Sequence, residues 1–474
     1  MSVATVSVQR RGPDAARVGS KAVATTVVAC LVAFAAAWEP RAEADPSADP
    51  SAGPSADPAV TESAASWAMH GQITYTEQES NHFKAPYQGT NSLSANQGRE
   101  TVDGTLMFGR RLWEGAEAWI SPEIDQGFGL DNTVGLAGFS SGEAYKVGRN
   151  APYLKLPRVF IRQTINSDEA TESIAEGPTQ LAGLRSADSW VLTVGKFSVP
   201  DIFDVNQYAH DPKVDFLNWT AIDAGTFDYA ADAWAYTVGA ALERYTGPWT
   251  ARLGLFDLST VPNSTHLDPG GHEFQMIAEL ERRHHIGGQP GKTLVTVYDS
   301  RGRMGRLQDA ITLALQTNSA PDIAKVRQYR SRTGISLSLE QAIDTNLAVF
   351  VRAGKAGGNV EAYEFTDVDR TLSAGLSLKG ARWSREADTI GLAAVANGIS
   401  GVREAYLNAG GLGILAGDGR LPHPGAEQIL ESYYSCEVRS GVWLTFDYQH
   451  ITNPAYNRDR GPASVFALRA HAAF

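Results

Sequence analysis

Between positions 198 and 232 the chain carries Phe203, Tyr208, Phe216, Trp219, Phe227 and Tyr229, interleaved with Asp201, Asp204, Asp211, Asp215, Asp223 and Asp228. Planar rings beside carboxylates can stack on a solute and hydrogen-bond to it, which is the chemistry of recognition. A second set of chemically able residues lies on segments that alternate polar and apolar side chains. Arg158 and Arg162 oppose Val159, Ile161 and Ile165, while Glu117, Trp119 and Glu123 oppose Ala118, Ile120 and Ile124. Arg252, Glu279, Arg352, Glu431, Asp447 and Arg469 stand in similar positions. A period of two places each set on one face of an extended strand. If the apolar face meets lipid, an Arg or Lys there would cost about 2–4 kcal/mol, so the charged face must look onto water.

The elements that would hold these residues read as strands of a closed membrane barrel. Val238, Ala240 and Leu242 continue an apolar face that begins at Trp234 and Tyr236, and Trp249, Ala251, Leu253 and Leu255 form the next after a tight turn at 245–248. Similar faces come from Leu347, Val349 and Val351, from Leu372, Ala374, Leu376 and Leu378, and from Leu444, Phe446 and Tyr448. The last strand places Phe466, Leu468, Ala470, Ala472 and a terminal Phe474 on one face and Arg469 and His471 on the other. Alternation alone also suits a soluble sandwich. The connections distinguish the two. Short links near 112–115, 245–248, 341–344 and 437–440 alternate with long ones near 125–156, 198–232, 301–327 and 400–421. Short turns on one side and long loops on the other are the pattern of an outer-membrane barrel. The expected fold class is all-β, a single antiparallel transmembrane barrel of sixteen strands over 67–474. The segment 166–188 is the exception, long where a short turn is expected.

The N-terminus fits export. Arg10, Arg11, Arg17 and Lys21 precede an apolar run at 22–38, and Ala42-Glu43-Ala44 is a small-x-small cleavage site, so 1–44 reads as a secretory signal peptide. Val27-Val28-Ala29-Cys30 has the look of a lipobox, but the apolar run continues past the cysteine, which argues against acylation. Residues 45–66 begin DPSADPSAGPSADPAV and read as a disordered Pro/Ala/Ser/Asp-rich tether. The formal charge of −12 becomes about −14 once the signal is removed, which disfavours a nucleic-acid partner. Cys436 is then the one remaining cysteine, so neither an intrachain disulfide nor a cysteine-based metal site is expected. His284-His285 sits in an expected turn without a third ligand nearby, and no metal or other cofactor is expected.

Several stretches stand out as a set: His70-Gly71-Gln72, GLAGFSSGEAYKVG at 135–148, PRVFIRQ at 157–163, GKFSVPDIFD at 195–204, AHDP at 209–212, FDYAADAWAY at 227–236, GDGRLPHPG at 417–425 and DYQHITNPAYNRDRGPASVFALRAH at 447–471. In their number and order they resemble the carbohydrate-selective porin family of the OprB type. The resemblance covers nearly all of 69–474 and implies an outer-membrane channel for passive uptake of glucose-like sugars, without catalytic turnover. The expected partners are small sugars, outer-membrane lipid and the barrel-assembly machinery, engaged through the strand ending at Phe474; three barrels could associate as a homotrimer. The 198–232 loop is then expected to narrow the pore. Trp219, Phe216 and Asp204, with the strand residues Arg158, Arg162, Glu117, Trp119, Glu123, Arg252, Glu279, Arg352 and Asp447, are the expected pore-lining set. Acidic partners beside the arginines argue against a strongly ion-selective pore. A general or organic-acid-selective porin is the alternative. A plugged 22-stranded transporter and a barrel enzyme fit the strand count less well.

Overall fold

A computed structural model of the chain describes residues 65–144, 146–169 and 171–474. The expected signal peptide and all but the end of the expected tether lie outside the described residues. Eighteen strands follow in order: β1 (Trp67–Ser80), β2 (Gly98–Trp113), β3 (Ala116–Gly127), β4 (Arg149–Asn166), β5 (Thr171–Ile174), β6 (Gly183–Ser186), β7 (Ser189–Phe197), β8 (Thr237–Thr246) and β9 (Trp249–Asp257). They continue with β10 (Phe274–Ile286), β11 (Gln289–Gly305), β12 (Arg327–Ala342), β13 (Leu347–Ala356), β14 (Arg370–Lys379), β15 (Thr389–Gly398), β16 (Glu427–Arg439), β17 (Val442–Thr452) and β18 (Ala463–Ala473). Sixteen of them close into one antiparallel barrel, and β5 and β6 pair separately as a small hairpin.

Closure is made by the two ends of the chain. β1 pairs β18 from Gln72↔Ala473 to Ser80↔Val465. Beyond that ladder, Gly71 N–H donates to the Phe474 carbonyl at 3.1 Å and Phe474 N–H returns a bond to the Gly71 carbonyl at 3.0 Å. The Phe474 ring lies where a side chain on Gly71 would stand. No strand edge of the wall is left open, so the backbone polar groups that hydrocarbon cannot satisfy are paired within the barrel.

The two faces of the wall follow the alternation. Leu253, Leu255, Phe446 and Phe466 are each more than half exposed, as an isolated barrel must leave its lipid-facing side chains, whereas Arg252, Glu279, Glu431 and Arg469 are buried within it. Links of a few residues, such as 114–115, 247–248, 287–288 and 440–441, lie at the end that carries Trp67 and Phe474. Gly287 and Gly288 have φ of +60° and +80°, the pair of left-handed residues that a type I′ hairpin turn requires. The long connections 128–148, 198–236, 306–326 and 399–426 lie at the other end.

Two local expectations are corrected, and the long connection at 166–188 proves to carry secondary structure of its own. The strand expected to include Trp234 and Tyr236 begins at Thr237, because Ala235 takes a φ of +73° and breaks the extended run. His284 and His285 belong to β10 rather than to a turn. Segment 166–188 contains the β5–β6 hairpin.

Candidate functional site: the lumen wall and the loop inside it

The 198–236 connection crosses the interior and is bonded to the wall by the charged side chains expected to meet solute. Arg352 donates to the carbonyls of Ala221 at 2.9 Å and Ala209 at 2.8 Å, and its Nε lies 3.6 Å from Asp204. Glu279 accepts the Asp204 N–H at 2.8 Å. Glu431 accepts from Leu217 N–H at 2.5 Å and Asn218 N–H at 3.2 Å, and Arg469 donates to the Asp215 carbonyl at 2.8 Å. A loop threaded through a barrel cannot use a strand ladder for its buried amides, so wall side chains supply the donors and acceptors. Burial pushes the Asp204 carboxyl above the ordinary aspartate value, even though the Arg352 charge favours its ionised form.

The expected pore-lining residues take the following places in this arrangement. Trp219 is only 3 % exposed: it stacks on Phe139 at 5.5 Å between ring centroids and packs against Tyr229 and Phe365. Phe216 is buried between Phe350 and Tyr433. Asp204 and Arg352 are both fully buried. All four are buried where the loop packs on the wall. Arg252 is enclosed by Glu243, Glu279 and Glu281 at 2.8–2.9 Å, so its donors are already used within the wall. Asp447 is buried, accepting from Gln449 at 3.3 Å. Trp119 is buried and stacks with His70. Glu117 and Arg162 form an ion pair at 2.7 Å that is completed by the backbone of 179–181.

Arg158 and Glu123 are in a different setting. The β3–β4 register slips between Ser121↔Arg158 and Glu123↔Lys155, so two residues of β4, Leu156 and Pro157, face Pro122. This bulge brings both Lys155 and Arg158 to the inward face although they are three apart. Proline inside an alternating strand marks such a position, because it has no N–H for the ladder. Arg158 grips Asp201 through two bonds of 2.8 and 2.6 Å, yet their side chains stay 19 % and 25 % exposed. Lys155 lies 3.4 Å from Glu123 and 2.8 Å from Asp125, and Lys196 lies 3.4 Å from Asp232.

The rings displaced from the expected strand complete this group. Tyr236 has the Arg158 guanidinium 5.1 Å from its ring centre, and the Lys155 ammonium is 5.6 Å from the centre of Trp234. Trp234 Nε1–H donates to the Tyr153 hydroxyl at 3.1 Å. Aromatic planes, fixed guanidinium donors and carboxylate acceptors therefore meet at one partly open place on the inner wall. Sequence reasoning gave Arg158, Glu123 and Asp201, placed Trp234 and Tyr236 on an apolar strand face with Trp234 as a girdle or lumen residue, and missed Lys155, Lys196 and Tyr153. The available signals were Pro157 and the alanine between two aromatics at 234–236.

The 138–142 stretch, GFSSG, has the G-x-S-x-G spacing of a nucleophile elbow. Its Ser140 lies in a loop and donates to Gln78 at 3.0 Å, a structural hydrogen bond.

Among solved structures, the chain is similar to OprB of Pseudomonas putida, with a TM-score of 0.65 and 15% identity over 86% of this chain and 94% of that one. The outer membrane channel DcaP of Acinetobacter baumannii aligns with a TM-score of 0.46 and 11% identity, over 86% of this chain and 97% of that one. At these identities the likeness to OprB bears on the fold alone, and it agrees with the sixteen-stranded barrel. No curated protein matches the chain in sequence. The family model described as "Carbohydrate-selective porin, OprB family" matches residues 90–474, four-fifths of the sequence and nearly the whole barrel, and the chain belongs to that family.

Proposed function

We propose that sugars cross this outer-membrane porin along the β4–β7 side of the lumen and are selected at the Arg158–Asp201 pair beside Trp234 and Tyr236. The observation that carries this reading is exposure: most other inward charges are buried and satisfied by the wall or the loop, while this pair is bidentate and still open. A pyranose offers a C–H face that can lie on an aromatic ring and hydroxyls that need both donors and acceptors. Arg158 supplies a rigid fork of donors and Asp201 supplies acceptors.

Charge balance favours a neutral solute. Lys155, Arg158 and Lys196 are matched by Glu123, Asp125, Asp201 and Asp232. With no excess of positive charge, the site lacks the one-sign field that an organic-acid channel would use. Passage is passive and involves no catalytic turnover. Binding must be weak enough to release the sugar, and a millimolar contact corresponds to about 4 kcal/mol. The sugar size favoured is one or a few glucose-like units.

The test is single-channel conductance in a planar bilayer while glucose, longer glucans and an organic acid are titrated. Saturable block by glucose that weakens about tenfold in Arg158→Gln, roughly one lost hydrogen bond to a charged group, and that also weakens in Trp234→Ala, which loses the stacking ring, is the expected result. Equal block in wild type and both variants would place selection elsewhere. Export with cleavage after Ala44 is proposed with this function and is read by N-terminal sequencing of the purified protein. Assembly-machinery recognition of the last strand and homotrimer formation are read by cross-linking and native mass.

A further inference from the structure

The connection between β4 and β7 carries a hairpin that the channel reading leaves unused. β5 and β6 pair from Thr171↔Ser186 to Ile174↔Gly183, and Gly177 and Gln180 exchange bonds of 2.9 and 3.1 Å to close the tip. This hairpin belongs to the short-turn end of the barrel, yet its tip is bonded to side chains on the inward faces of four wall strands. His70 of β1 lies 3.2 Å from Glu176, and Arg111 of β2 donates to the Ala182 carbonyl at 2.9 Å. Glu117 of β3 accepts the Leu181 N–H at 3.0 Å, and Arg162 of β4 donates to the Thr179 carbonyl at 2.8 Å and to Gln180 at 3.3 Å.

The tip is also packed. Leu181 is 1 % exposed and joins the apolar cluster that contains Met107, Trp119 and Phe160. A loop lying outside the rim would keep its backbone amides in water and its leucine exposed. Here the tip completes a desolvated ion pair and buries a leucine, interactions that hold a segment in one place. The tip at 176–182 is therefore held against the inward side of the wall at the short-turn end.

We infer that the 176–182 tip is a built-in constriction at the inner mouth, which limits the length of saccharide that leaves the channel. The inference rests on the lumen being the solute path. It places two filters in series: the Arg158–Asp201 contact sets affinity, and the tip sets size. Glu117 and Arg162 act in it as positioning residues, because their polar atoms are engaged by the tip.

The test replaces 167–188 with a two-residue Asn-Gly turn and compares the purified protein with wild type. Single-channel conductance is expected to rise about twofold, and liposome-swelling rates for hexasaccharide glucans are expected to approach those for glucose. The glucose concentration giving half-block is expected to stay unchanged, since the Arg158–Asp201 contact is intact. Unchanged conductance together with unchanged length dependence overturns the inference. Absence of glucose block in both proteins strikes instead at the sugar site and leaves the conductance comparison readable.

Heat-modifiable gel migration reports whether the shortened chain folds. If it does not, Gln180→Cys in a Cys436→Ser background is labelled with a bulky sulfonated thiol reagent from the short-turn side. A fall in conductance on labelling supports the constriction. Complete labelling by mass with no change in conductance overturns it.

Discussion

Replacing Arg352 with Met should unseat part of the lumen loop while leaving the barrel assembled. The fully buried guanidinium donates to the carbonyls of Ala209 and Ala221 and stands 3.6 Å from the equally buried Asp204. Met retains the apolar stem but takes the Arg352 donor from the carbonyls of Ala209, Ala221 and, at 3.4 Å, Asp204, and leaves a carboxylate without its counter-charge. Removing one partner of a buried pair costs about 3–5 kcal/mol. At 1.4 kcal/mol per decade, the open form of this part of the loop gains roughly two to three and a half orders of magnitude in population. Asp204 also accepts the Ala224 N–H at 2.7 Å, so amides of 221–226 are where the loss should be read. Hydrogen exchange on the detergent-solubilised barrel is the assay, with single-channel noise as a second readout. The double variant Arg352→Met/Asp204→Asn removes the lone charge and should recover much of the protection. Wild-type exchange in the single variant, or a double variant as unprotected as the single, would refute the reasoning that an uncompensated buried charge drives the opening.

The remaining predictions concern closure, the loop core and pH. Deleting Phe474 removes the two bonds to Gly71 and the ring over it, and the expected outcome is less heat-modifiable protein in isolated outer membranes; normal amounts would count against a closing role. Trp219→Ala should cost about 3–5 kcal/mol, read as a lower temperature of heat modification, because a stacked, buried ring is lost. An unaltered temperature with weaker sugar block would return Trp219 to the solute path. Burial would raise the Asp268 carboxyl, but the backbone N–H groups of Gly270, Glu273 and His272 outweigh it and hold Asp268 below the ordinary aspartate value. A depressed folded value means the contribution is fully present above the ordinary aspartate range and is lost as pH falls through the lower folded value. Exchange protection of 270–273 should therefore fall on acidification, and Asp268→Ala should abolish that dependence.

The barrel itself was legible in the chain because its signals are local. A two-residue period tells which side chains of β9 or β18 face lipid without knowledge of any neighbour, and short turns opposite long loops give the strand count and direction. The inward placement of Arg158, Arg162, Glu117, Glu123 and Arg252 follows from the same parity. What those residues do once inside does not, because it depends on partners far away in sequence. Arg352 and Asp204 are 148 positions apart, and only the path of the loop through the lumen brings them together. The same path turns Trp219 and Phe216 from expected solute contacts into core. The Leu156–Pro157 bulge changes parity within one strand, so strict alternation could not predict that Lys155 and Arg158 point the same way. The chain's own periodicity thus determined the wall, since each strand needs only one apolar face. Tertiary structure alone decided which inward charges are used to hold the loop or hairpin and which remain open, since hydrogen-bond capacity is consumed by whichever distant backbone is packed against it.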